Sequence, residues 1–117
     1  GFNGTQRLPK CIGMNKAKEI LFTGKMLTAA DALELGILNH VTEPEQLMEE
    51  VYAMAGQIAG NSASAISLVK AAVNAGADMD IDIGKNIELG YMAACFGTPD
   101  QIEGFASFKE KRAAKFR

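Results

Sequence analysis

Tryptophan is absent from these 117 residues, histidine occurs once, cysteine twice and proline three times, and aromatic residues make up only 7%. So thin an aromatic complement, with no zinc or single-strand-binding motif, gives no basis for nucleic-acid recognition. Cys11 and Cys95 are remote from each other, and neither has a second cysteine or a histidine at ligand spacing. Both are expected to be buried free thiols in a reducing, cytoplasmic setting, and no metal site is expected, because zinc needs three or four convergent ligands. No apolar run approaches the ~18 residues of a membrane span, so neither a transmembrane helix nor a secretory leader is expected.

Recognisable catalytic pairings are also scarce. His40, within Ile37-Leu38-Asn39-His40-Val41, reads as a strand-surface or hydrogen-bonded residue, and no marked serine or cysteine lies near it in sequence. A nucleophile needs an adjacent base, and none is apparent. The opening Gly1-Phe2-Asn3-Gly4 lacks the lysine and the serine or threonine of a phosphate-binding loop. Asp78, Asp80 and Asp82 lack the glycine and terminal glutamate of a calcium loop, and with Glu49 and Glu50 they read as surface charge.

What is present is a globular composition, 48% hydrophobic and 22% charged, in a length that suits one domain with a modest core. The formal net charge of -2 hides segregation: both ends are basic and the middle is acidic. The tail carries Lys109, Lys111, Arg112, Lys115 and Arg117 against Glu110 alone. Such a cluster suits a phosphate-bearing partner, and more commonly marks a solvated helix end whose cations answer the C-terminal dipole. The chain starts on glycine with no initiator methionine, in a turn-like segment, and is therefore expected to begin inside a longer protein.

Helical signals dominate. Thr5 to Cys11 reads as a short helix broken at Pro9, and Asn15 to Phe22 as one with Ala17, Ile20 and Leu21 on one side, ended by Gly24. Thr28 and Asp31 have capping-box spacing, and Gly36 suits the end of that short helix. Ile37 to Val41 alternates enough to predict a brief strand. Pro44 opens a longer helix whose stripe is Leu47, Val51, Met54, Ala55 and Ile58, closed by Gly60-Asn61. Ser62 to Ala75 follows, with Ile66, Val69 and Val73 expected inside. Asp80 then caps a helix over about 81–96, with Ile83, Ile87, Tyr91 and Ala94 on one face. Gly84 and Gly90 inside it predict close helix approach, since glycine otherwise costs about 1 kcal/mol there. Thr98-Pro99-Asp100-Gln101 starts the last helix, with Ile102, Phe105 and Phe108 as its apolar face. The fold class is thus mainly α with one or two very short strands.

Three motifs, in order along the chain, resemble the crotonase or enoyl-CoA hydratase/isomerase family. They are Gly4-Thr5-Gln6-Arg7-Leu8-Pro9 with Gly13 and Ala17-Lys18-Glu19; Phe22-Thr23-Gly24-Lys25-Met26-Leu27-Thr28-Ala29 with Leu35-Gly36-Ile37-Leu38-Asn39; and Phe96, Thr98, Asp100, Glu103-Gly104, Phe108, Glu110-Lys111-Arg112. Lys70, Ala71 and Asn74 also fit the family's helix, and Asp80-Ile81-Asp82 looks most like the short-chain bacterial hydratases.

The resemblance implies the C-terminal, trimerising helical part of an α/β spiral fold whose N-terminal spiral is absent here. Residues 1–42 would be the end of the core and 43–117 a helical oligomerisation region. The parent would add water reversibly to a short-chain 2-enoyl-CoA, with coenzyme A as part of the substrate and no separate cofactor. Family members hold the thioester oxygen with two backbone N–H groups and handle water and proton with paired glutamates. Both glutamates would lie upstream, so no catalytic side chain is expected in this chain, which would be inactive alone. Lys111 matches the family's lysine near the adenosine phosphates. Met92 stands where well-known relatives cover the adenine with an aromatic residue, and Gly1 would line the active site through its backbone. The implied partners are an acyl-CoA and sister subunits in a trimer or a dimer of trimers, with neither nucleic acid nor membrane. The alternatives are a portion of an enoyl-CoA isomerase or another acyl-CoA enzyme of this family, and a non-catalytic helical assembly module.

Overall fold

The computed structural model describes residues 2–116. Seven α-helices and one 3-10 turn follow in order: α1 Gly4–Ile12, α2 Met14–Thr23, α3 Ala29–Glu34, the 3-10 turn Pro44–Gln46, α4 Leu47–Ala59, α5 Ala63–Gly76, α6 Ile81–Cys95 and α7 Pro99–Glu110. They fall into two compact units that divide after Met48.

In the first unit α1 packs on α2, and Ala17 of α2 is the fully enclosed apolar side chain there. Pro9 does not break α1. Proline removes one intrahelical bond, to the Thr5 carbonyl, and Thr5 lies at the exposed first turn where water can take its place. The Gly13 N–H then closes the helix on the Pro9 carbonyl at 2.9 Å. At α3 the expected capping box forms: the Asp31 N–H donates to Thr28 Oγ1 at 3.1 Å, and the Thr28 N–H donates back to Asp31 Oδ2 at 2.9 Å. These Thr28 bonds, backbone first and hydroxyl second, hold the Asp31 carboxyl below its usual range.

The strand expected over 37–41 is absent, and no strand occurs among the described residues. Gly36 takes a left-handed φ of 74°. Its N–H returns to the Leu33 carbonyl at 3.0 Å while the Ile37 N–H returns to Ala32 at 2.8 Å, which is the paired closure of a helix C-terminus. Ile37 and Leu38 spend their donors on α3 instead of on a ladder, so alternation alone does not make a strand here.

In the second unit α5 and α6 form the main helix pair. Four expected starts are as read: Pro44 opens the turn into α4, Ser62 accepts from Ala65, Asp80 accepts from Asp82, and Thr98 accepts from Gln101. The Gln101 side chain reaches back to the Gly97 N–H at 3.0 Å, one residue earlier than a standard capping box. Close approach occurs where α5 ends and α6 begins, since a Cβ added to Gly76 would sit 3.7 Å from the Gly84 Cα; Gly90 has open space instead.

The expected inside faces are met in part: Ile66 of α5 and Ile87 and Tyr91 of α6 are half-buried, while Val69, Val73, Ile83 and Ala94 are exposed. Val69 and Val73 are 62% and 63% exposed, whereas Ala65, Leu68 and Ala72 of α5 and Gly84, Tyr91 and Cys95 of α6 turn partly inward. At Gly76 and Gly84 small size lets the two backbones come close, while Val69 and Val73 lie outside the contact. The α4 stripe and the Ile102, Phe105 and Phe108 face of α7 are likewise exposed. Cys11 is exposed and Cys95 half-buried, so neither thiol is enclosed as expected, though both are free.

Candidate functional site

The second unit supplies three arrangements in which polar chemistry or space is concentrated. The first is an apolar groove along α5 and α6 with a volume of about 580 Å³. Ala72, Gly76, Gly84 and Cys95 leave room along it, Tyr91 and Met92 line it from α6, and Glu88 is its acidic lining residue. Met92 is 55% exposed. A polarizable thioether at such a place can lie against a flat ring. Glu88 has no second carboxylate or histidine beside it in that lining.

The second arrangement joins α5 to α7. Asp100, in the first turn of α7, is 8% exposed, and its Oδ2 accepts from Ser62 Oγ at 2.6 Å and from Ser64 Oγ at 3.2 Å. Ser62 Oγ meanwhile accepts the Ala65 N–H at 3.1 Å as the cap of α5. One buried carboxylate therefore fastens two helix starts. Its Oδ2 takes two hydroxyl donors, and the near-total burial of Ser62 makes the unit structural.

The third lies at the end of α7. Arg112 folds back to hold Glu103 through both carboxylate oxygens, Nη1 to Oε1 at 2.5 Å and Nη2 to Oε2 at 2.9 Å, and its Nε reaches Glu110 Oε2 at 2.6 Å. The Lys115 N–H adds a further bond to Glu103 Oε1 at 2.7 Å. The Arg112 guanidinium, and then the Lys115 amide, pull the Glu103 carboxyl down to about 2 from its ordinary 4.5. The two carboxylates raise Arg112 above its already high range. With Glu103 and Glu110 both answered by Arg112, the segment presents Lys109, Lys111 and Lys115 as a net positive group.

Lys111 is exposed and begins this folded-back tail. It lines neither the α5–α6 groove nor the smaller cavity between α5 and α7, so Lys111 and Met92 occupy separate places in the same unit. Gly1 lies outside the described residues. His40 sits exposed in the loop after α3. Among the described residues no group of three or more His, Cys, Asp or Glu converges as a metal site would require, and no helix is long and apolar enough to cross a membrane.

Two connections escaped the sequence reading: Ser62 with Asp100, and Glu103 with Arg112. Asp100, Glu103 and Arg112 all lie in the family-like segment 96–112, and no local spacing marks either pair.

A family model described as enoyl-CoA hydratase/isomerase matches residues 1–117. The crotonyl-CoA hydratase of Syntrophomonas wolfei is 44% identical over 116 residues, which is 99% of this chain and 45% of that protein. A short-chain-enoyl-CoA hydratase of Clostridioides difficile is 45% identical over 109 residues, 93% of this chain and 70% of that protein. Among solved structures, the enoyl-CoA hydratase from Bacillus anthracis matches with a TM-score of 0.93 at 36% identity, across 99% of this chain and 45% of that one. The chain thus spans less than half the length of the Syntrophomonas and Bacillus proteins.

Proposed function

The chain belongs to the enoyl-CoA hydratase/isomerase family, and from that premise we propose that it is the C-terminal part of a short-chain enoyl-CoA hydratase. The observation that carries this reading is the family match across all 117 residues, joined to relatives named crotonyl-CoA and short-chain-enoyl-CoA hydratase at 44% and 45% identity. In this reading residues 1–42 close the core, residues 43–117 form the helical oligomerisation region, and the parent assembles as a trimer or a dimer of trimers. The exposed apolar faces of α4 and α7 support such a role, because large apolar side chains left open in this number suit an interface.

The parent would hydrate the double bond of a short-chain 2-enoyl-CoA, a lyase reaction needing no cofactor besides the coenzyme A of its substrate. Carboxylates that place the water and pass the proton belong to the part of the parent upstream of residue 1, as does most of the cradle for the thioester oxygen. What this chain contributes is binding. Lys111 sets an ammonium against the nucleotide phosphates, with Lys109 and Lys115 adding positive potential. Met92 packs its thioether on the adenine, and Gly1 lines the site through its backbone. Since the chemistry lies elsewhere, the chain alone is inactive.

Two substrates distinguish this reading from an isomerase within the same family. The parent should hydrate crotonyl-CoA rapidly and leave a 3-enoyl-CoA unshifted; double-bond migration in the second without hydration of the first would replace the hydratase by an isomerase.

A further inference from the structure

The final turn of α7 places a lysine where helices usually place glycine. Lys111 has φ +53° and ψ 40°, in the left-handed region that favours glycine. The Lys111 N–H returns to Phe108 at 3.2 Å and the Arg112 N–H to Ser107 at 3.1 Å, completing the same paired closure that α3 makes with Gly36. Glycine would close this helix with less strain, so the side chain at 111 is kept against a conformational cost. Something must hold the turn.

Glu103 does so from one turn into α7. Its two oxygens receive the Arg112 fork and the Lys115 amide, which clamps the chain on both sides of residues 113 and 114. Exposed ion pairs are commonly worth little, but this one is planar and bidentate, has a third donor, and leaves the Glu103 side chain only 22% exposed. The same Arg112 reaches Glu110 and carries a bond to the Ala113 carbonyl at 3.1 Å. Without Arg112, two uncompensated carboxylates would flank Lys111 and repel a phosphate.

We propose that Glu103, acting through Arg112 and the Lys115 amide, is a positioning residue for coenzyme A thioesters, because it fixes the left-handed turn from which the Lys111 ammonium meets the nucleotide phosphates. The inference rests on the reading of Lys111 as a phosphate contact given above.

The test uses the intact parent enzyme with crotonyl-CoA and with crotonyl-pantetheine, which lacks the nucleotide and its phosphates. Glu103→Gln should raise KM for crotonyl-CoA by about five- to tenfold at low salt, the size of a displaced charge-assisted contact, and leave kcat within about twofold. KM for crotonyl-pantetheine should not move. In a Lys111→Ala background the same substitution should add less than about twofold, since the group it positions is gone. Arg112→Lys, which keeps the charge and loses the fork, should reproduce the split and serves if Glu103→Gln folds poorly. An equal KM rise for both thioesters, an undiminished effect in the Lys111→Ala background, or no rise at all where Lys111→Ala does raise KM, would overturn the positioning role. An unchanged KM in Lys111→Ala itself would instead remove the phosphate contact on which the inference stands.

Discussion

At the scale of single residues, Lys111 holds a left-handed turn that the proposed phosphate contact would put to use. A non-glycine residue in the left-handed region costs roughly 1–2 kcal/mol, against roughly 0.5–1 kcal/mol of extra chain entropy that glycine loses on folding. Lys111→Gly should therefore raise stability by about 0.5 kcal/mol in urea denaturation while weakening coenzyme A binding by the parent. Loss of stability with unchanged binding would refute that use. Glu103 adds a pH dependence whose sign is fixed. Its carboxyl lies at about 2 in the folded chain, below the ordinary 4.5, so its contribution is complete above pH 4.5 and lost as pH falls from there toward 2. Proteolysis of the 111–116 tail should accelerate across that window in the wild type and be already fast, without the acid step, in Glu103→Gln.

At the scale of elements, Asp100 joins two helix starts, and the cost of breaking that joint follows from burial. Asp100→Ala would leave the Ser62 hydroxyl, 6% exposed, without its carboxylate acceptor. A loss of about 1–3 kcal/mol is expected in urea denaturation, the range for an unsatisfied buried polar group; a change under about 0.5 kcal/mol, typical of neutral surface substitutions, would mean that the joint is not a stabilising one. The same burial explains which parts of the fold were legible in the sequence. Caps at Thr28, Ser62, Asp80 and Thr98 could be read because each is a bond over two or three residues between types suited to it. The strand over 37–41 was misread because its donors are claimed by a helix end, which alternation does not reveal. The α5 face is legible at Ile66 and not at Val69 and Val73, because apolar spacing marks a stripe without saying which partner covers it, and at Gly76 and Gly84 small size sets the approach of the backbones. Lys111 and Met92 enter the candidate site through the family resemblance alone, whereas the Ser62–Asp100 and Glu103–Arg112 joints depend on chain reversals that no local pattern encodes.

At the scale of the whole molecule, Leu47, Val51 and Ile58 of α4 and Ile102, Phe105 and Phe108 of α7 are open to solvent. Apolar surface of that kind gains roughly 25 cal/mol for each Å² removed from water, so the chain by itself should associate and bind an apolar dye. Light scattering at micromolar concentration is expected to give a mass above 12.5 kDa. A monomer that binds no dye would contradict the interface assigned to residues 43–117. The central proposal is a division of labour, in which these residues would hold coenzyme A and neighbouring subunits while proton transfer would belong to the upstream part of the parent. Hydration of crotonyl-CoA, followed by loss of the enoyl-thioester absorbance, tests it most directly when the 117-residue chain and the intact parent are assayed side by side. The account predicts turnover by the parent and none by the chain alone; hydration by the chain alone at an enzyme-like rate would contradict it.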